Sequence, residues 1–277
     1  MYAVHLYFQW VIHMHHLPSL SFNQRVAILI GLLMLGFIVL LQIAPIPQDP
    51  DYHFFADTRS FFGIPNFSDS MSNIGFAVAG ILGILTVFGA QRYRIFSMSA
   101  DARPYAVFFI GIALIALGSA YYHLEPSNER LLWDRLPMSI AFMAFVSVVV
   151  SDRIQQTAGN GWLLILLVVL GMLSLLYWYY TEMQGHGDLR FYAFVQFYPV
   201  LLLPLVLWLF PDYRYTMGRY LAWVIVWYAL SKIMEHFDRE IFDLMNHTVS
   251  GHTLKHLAAA VGSLVVLRML TRISRDK

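Results

Sequence analysis

Apolar positions along this 277-residue chain come in long blocks separated by short polar stretches. A helix needs about 20 consecutive, mostly apolar residues to cross the hydrocarbon core of a bilayer. Eight blocks meet that length, near residues 26–44, 71–90, 105–123, 135–151, 161–180, 191–210, 218–236 and 252–271. The pattern predicts an all-α fold, a polytopic membrane helix bundle. Arg25 precedes the first block in the manner of a signal peptide. Its apolar core is too long for one, and Gln42-Ile43-Ala44 is not a small-x-small cleavage site, so the block reads as a retained anchor. The Pro-rich "APIPQDPDY" that follows reads as a linker.

Composition agrees with the block pattern. Hydrophobic residues make up 58% of the chain and charged residues 13%, against roughly 25% charged in a soluble domain. The absence of cysteine excludes disulfides, thiolate metal sites and cysteine nucleophiles. A net charge of +1 gives no sign of a nucleic-acid partner.

The distribution of charge is more informative than its sum. Eight crossings place both termini on one side, together with the loops near 91–104, 152–160 and 211–217. That side holds eleven of the 18 basic residues: Arg25, Arg92, Arg94, Arg103, Arg153, Arg214, Arg219, Arg268, Arg272, Arg275 and Lys277. The positive-inside rule makes it cytoplasmic. The other side holds 13 of the 17 acids and, apart from His5, His13, His15 and His16 in the N-terminal tail, every histidine. Acids contribute little to orientation, so their gathering there points to use.

The last block opens with "SGHTLKHLAAA". His252 and His256 are about 400° and about 6 Å apart along a helix, so they share a face and suit one metal ion. Thr253 stands where a zincin requires glutamate, which excludes the metalloprotease pattern. Two histidines are one ligand short of a catalytic zinc site. In "GSAYYHLEPSNERLLWDRLPM", His123 ends the third span on the same membrane side, Ser119 lies one turn earlier on its face, and Asp134 begins the fourth span at that depth. Ionisable residues within or beside membrane spans are costly and usually functional. Each residue also has a simpler reading: a serine bonded to its own preceding turn, a first-turn acid, a histidine pair at a solvated helix end. Paired histidines also ligate haem, but that explains neither the serine nor the aspartate.

The patterns S-x-x-x-H (Ser119, His123), Asp134 in "WDRLPM", and H-x-x-x-H (His252, His256) resemble the CREST superfamily, which includes alkaline ceramidases and the progestin/adiponectin receptors. "NFSDSMSNIGFAVAGILGI" resembles the first core helix of the alkaline ceramidase branch. The resemblance covers roughly residues 57–271 and implies a seven-helix core with one extra N-terminal transmembrane helix. Residues 1–56 are then the tail, extra helix and linker, and 57–277 the seven-helix domain. It further implies a zinc-dependent amidohydrolase cleaving ceramide-like lipids drawn from the bilayer. His123, His252 and His256 would ligate Zn2+, Asp134 would act as general base, and Ser119 would help stabilise the oxyanion.

One departure concerns calcium. The eukaryotic ceramidases carry an acidic calcium-binding stretch that "DPDYHFFADTRSFFGIPN" does not match, with Asn66 where an acid is expected. The motif therefore does not support Ca2+. Asp57, Asp69, Glu182, Asp188, Glu235 and Asp238 remain as a second cation site, supports for the histidines, or a solvated acidic rim. Two other classes stay open: a receptor-like or structural protein whose zinc only ties helices, with His236 or Glu235 as fourth ligand, and an ion-coupled transporter. Tyr121, Tyr122, Trp133, Trp178 and Tyr180 fit either an interfacial belt or an acyl-chain slot.

Overall fold

The computed structural model describes residues 20–276; the tail histidines and Lys277 lie outside the described residues. Helices account for the fold, and among the described residues the β-structure is confined to an isolated bridge between Phe61 and Ile64. In chain order those of six or more residues are α1 (Phe22–Gln42), α2 (Phe67–Ser72), α3 (Ile74–Phe88), α4 (Ala102–Leu124) and α5 (Asn128–Arg153). Then follow α6 (Trp162–Met183), α7 (Arg190–Leu209), α8 (Gly218–His236), α9 (Asp238–Leu244) and α10 (Gly251–Asp276). The chain is an all-α polytopic bundle.

Among the described residues seven helices are long and apolar enough to cross a membrane, α2 and α3 counting as one span with a break at Asn73. All eight sequence-predicted blocks are helical. The one that falls short in apolarity is α8, whose 19 residues include Arg219, Lys232 and Glu235. The largest boundary difference is in α5, which begins at Asn128 where the hydrophobic pattern starts it at 135. Ser127 caps it, its Oγ accepting from the Arg130 amide. The first two turns are polar, so hydropathy reads them as loop. Asp134 is thus not a first-turn acid; it lies inside a helix and is buried.

Two compact units divide at Ile43 and Ala44. The first contains α1, started by a capping box in which Ser21 and Gln24 bond each other's backbone amides. The second contains everything from Ala44 onward. The stretch read as a linker is therefore packed in the bundle. Leu189 donates its amide to the Ile46 carbonyl at 2.8 Å, and His53 meets the Tyr122 hydroxyl at 2.9 Å and Asn128 at 3.0 Å. Pro45, Pro47 and Pro50 suit an extended strap with few backbone donors to satisfy.

Within the second unit, α4 packs against both α3 and α5, α5 against α6, α6 against α7, and α10 against both α3 and α8. By contrast, α7 and α8 meet only sparsely. Without a hydrophobic force between helices in lipid, close packing needs small residues. A Cβ on Gly80 would stand 2.5 Å from the Ala113 nitrogen, and one on Gly118 only 2.1 Å from the Trp133 carbonyl oxygen. At the end opposite the histidines, buried acids gather the three loops assigned to one side. Asp152 accepts from the amides of Arg214, Tyr215 and Thr216, and Asp101 from Gln156, Asn160 and the Tyr215 hydroxyl.

The aromatic residues divide between uses. Tyr121, Trp133 and Tyr180 are exposed, as a belt requires, whereas Tyr122 and Trp178 are buried. The contact at Gly118 carries a prediction, because it sets the spacing of the two helices that bear Ser119 and Asp134. Gly118→Ala should cost about 1–3 kcal/mol by overpacking and lower the melting temperature in detergent. An unchanged melting temperature would mean that α4 and α5 are not held at this distance.

Candidate metal centre

His123 is the penultimate residue of α4, while His252 and His256 lie in the first two turns of α10. All three rings are buried, and one nitrogen from each lies within 4.8 Å of the others. The Nε2 atoms of His123 and His252 face each other at 3.3 Å. Two nitrogens bound at about 2.0–2.1 Å to a tetrahedral zinc would themselves be about 3.3–3.4 Å apart. This pair therefore fits a shared ion, and the third ring needs only a small inward shift.

The tautomer of His256 follows from its neighbours. Ser72 donates its one hydroxyl proton to the Asp69 carbonyl at 2.9 Å, and the same oxygen lies 2.8 Å from His256 Nδ1. It must accept from Nδ1–H, which leaves the Nε2 lone pair free as a ligand. The start of α10 is fixed from two sides. The Asp69 carboxylate accepts from Ser250 at 3.2 Å and Thr253 at 2.6 Å, and Asp238 accepts from the His252 amide at 2.7 Å. Negative charge is favourable at a helix N-terminus. Phe55, from the proline-rich strap, packs its ring 4.7 Å from His123 and 4.5 Å from His252 and keeps solvent off that side.

Ser119 and Asp134 are buried beside the trio. With His256 they line one end of a cavity of about 310 Å³. Its walls farther from the histidines are apolar, with Phe108, Ile112, Phe142, Phe145 and Val266 among them. All five residues singled out from the sequence are thus brought to one place.

The six remaining acids do not form a second group. Among the described residues the one cluster of potential metal ligands is the three histidines. Asp57 and Asp188 are buried and ion-paired with Arg59 and Arg190, each at 2.7 Å. Burial pushes the Asp57 carboxyl up, but hydrogen bonds from the Arg59 side chain and amide outweigh it and hold it below the usual range. The Arg190 guanidinium holds Asp188 down likewise. Glu182 accepts from the Gln48 amide and the Asn128 side chain. Glu235 is occupied by Lys232 and Lys255, and His236 is exposed against Phe237. Asn66 adopts a left-handed backbone (φ 44°) before α2, and its amide donates to the His123 carbonyl at 2.8 Å. An acid could accept there but not donate.

Ser72 and Phe55 escape a reading of the sequence, whereas Asp69 and Asp238 are among the acids it offers as supports for the histidines, and here they hold the start of α10. Only the polar run "SDSMSN" at the start of an apolar span marks Ser72.

A family model described as Ceramidase matches residues 62–275. No curated protein and no solved structure matches the chain.

Two predictions follow from the geometry. Metal analysis of the purified protein should find about one zinc per chain, lost when His252 and His256 are both alanine; retained zinc would refute the ligand set. Ser72→Ala should weaken zinc binding by about 10–100-fold in a chelator competition, and unaltered affinity would remove Ser72 from the site.

Proposed function

This chain belongs to the ceramidase family, and we propose that it is an integral membrane, zinc-dependent amidohydrolase acting on ceramide-like lipids. The observation that carries the reading is the joining, at one end of an apolar cavity, of three buried imidazoles with a buried serine and a buried aspartate. His123, His252 and His256 would hold the ion. Zinc, when bound there, supplies Lewis-acid polarisation of the amide carbonyl and a lowered pKa for its water.

The side chains supply the rest. Asp134 accepts a proton from the attacking water as the new carbon–oxygen bond forms, then delivers it to the amide nitrogen as the carbon–nitrogen bond breaks. A free fatty acid and a long-chain amine leave. Ser119 donates to the carbonyl oxygen as negative charge develops on it. Ser72, Asp69 and Asp238 keep the imidazoles in place, and Phe55 excludes water.

The apolar walls suit an acyl chain. The sparse packing between α7 and α8, both of which line the cavity, supports entry from the bilayer. Engagement of Glu235 and His236 elsewhere supports a three-histidine site, which leaves a coordination position for chemistry. Charge asymmetry supports cytoplasmic termini with the site towards the extracytoplasmic face.

Asp134→Asn should keep its zinc and lose about 10²–10⁴ in hydrolysis of an N-acyl sphingosine. Ser119→Ala should lose about 10²–10³. Hydrolysis undiminished in Asp134→Asn, with zinc bound, would remove the aspartate from the mechanism.

A further inference from the structure

Beside the histidines the cavity wall carries more positive charge than the reaction uses. Arg135 follows Asp134 in α5 and is buried, yet among the described residues it makes no ion pair, and its Nη1 has no hydrogen-bond partner. Three aromatic rings hold the guanidinium instead: Tyr52 at 5.1 Å, Trp178 at 4.9 Å and Tyr192 at 5.2 Å. Tyr52 also donates its hydroxyl to Glu235 at 3.2 Å, and the two oxygens of that carboxylate are shared by Lys255 at 2.6 Å and Lys232 at 2.7 Å. Arg135, Lys232, Lys255, Tyr52 and Glu235 all line the cavity. Three cations and two carboxylates, Glu235 and Asp134, therefore line this end of the cavity, which leaves one positive charge in excess. A buried guanidinium N–H left without a partner is costly, and a planar guanidinium fixed on rings is suited to take an oxyanion there.

Position indicates what the oxyanion belongs to. The strap, the start of α5, the start of α7, the end of α8 and the first turns of α10 bring these groups to the same end of the bundle as the histidines. The apolar walls lie farther in, so an acyl chain along them leaves the head group of the lipid beside the cations. We propose that Arg135, with Lys232 and Lys255, recognises an anionic head group, such as a phosphate, on the N-acyl lipid that this site hydrolyses. The inference rests on the amidohydrolase reading for its substrate but not for its binding site.

The test uses the purified full-length protein in nonionic micelles. Hydrolysis of N-dodecanoyl sphingosine is compared with that of its 1-phosphate, and thermal stabilisation by dodecyl phosphate with that by dodecanol and dodecanoate. The wild type should show a KM about tenfold or more lower for the phosphate and selective stabilisation by dodecyl phosphate. Arg135→Met should lose both preferences, and Lys232→Met, at the rim of the cluster, provides the second variant should the first not fold. Equal KM values, or a preference surviving in both variants, would overturn the proposal. So would stabilisation by dodecanoate without head-group preference, which would assign the cations to the released fatty acid. Charge-selective stabilisation lost in the variants, with neither lipid hydrolysed, would uphold the anion site and overturn the hydrolase reading instead.

Discussion

The architecture depends on bringing three imidazoles from two helices into contact inside an apolar bundle. Polar rings removed from water are costly unless they find partners, and His123 and His252 turn ring nitrogens toward each other at 3.3 Å. As neutral rings only one of those nitrogens carries a proton, whereas both lone pairs are used if an ion lies between them. The surrounding structure serves to keep that convergence. α4 and α5 approach at Gly118, one residue before Ser119; Asp69 and Asp238 pin the first turn of α10; Ser72 fixes the third ring.

Around this centre the charged groups are arranged in pairs and not as a solvated rim. Asp57 with Arg59 and Asp188 with Arg190 neutralise one another close to the bundle end, while Glu235 is shared by two lysines and leaves one positive charge over. The opposite end uses Asp101 and Asp152 in the same way, to bind three loops. The interior between is apolar, so the site sits at a boundary where a lipid amide has its chain in one environment and its head group in another. Arg135 stands apart from the pairing, held by rings and not by a carboxylate.

Much of this was legible in the sequence because it obeys local periodicity. Apolar blocks located each long helix, and the i,i+4 spacing of His252 with His256 put both rings on one face. Ser119, His123 and Asp134 stood out as polar groups at the ends of apolar runs. What escaped lacked such a mark. The polar first two turns of α5 look like loop to any hydropathy reading, so Asp134 seemed to be a terminal acid. The proline-rich stretch looked like a linker, although Tyr52, His53 and Phe55 pack onto residues far along the chain. Ser72 and the rings around Arg135 act through partners more than forty positions away, and no local pattern records such contacts. Lys255 was visible between the histidines, but its use required Glu235 from α8.

X-ray absorption at the zinc edge of the purified protein tests the central claim most directly. The account predicts a first shell of nitrogen and oxygen at about 2.0–2.1 Å, with the outer-ring scattering of three imidazoles. A shell with fewer than three imidazoles would contradict it.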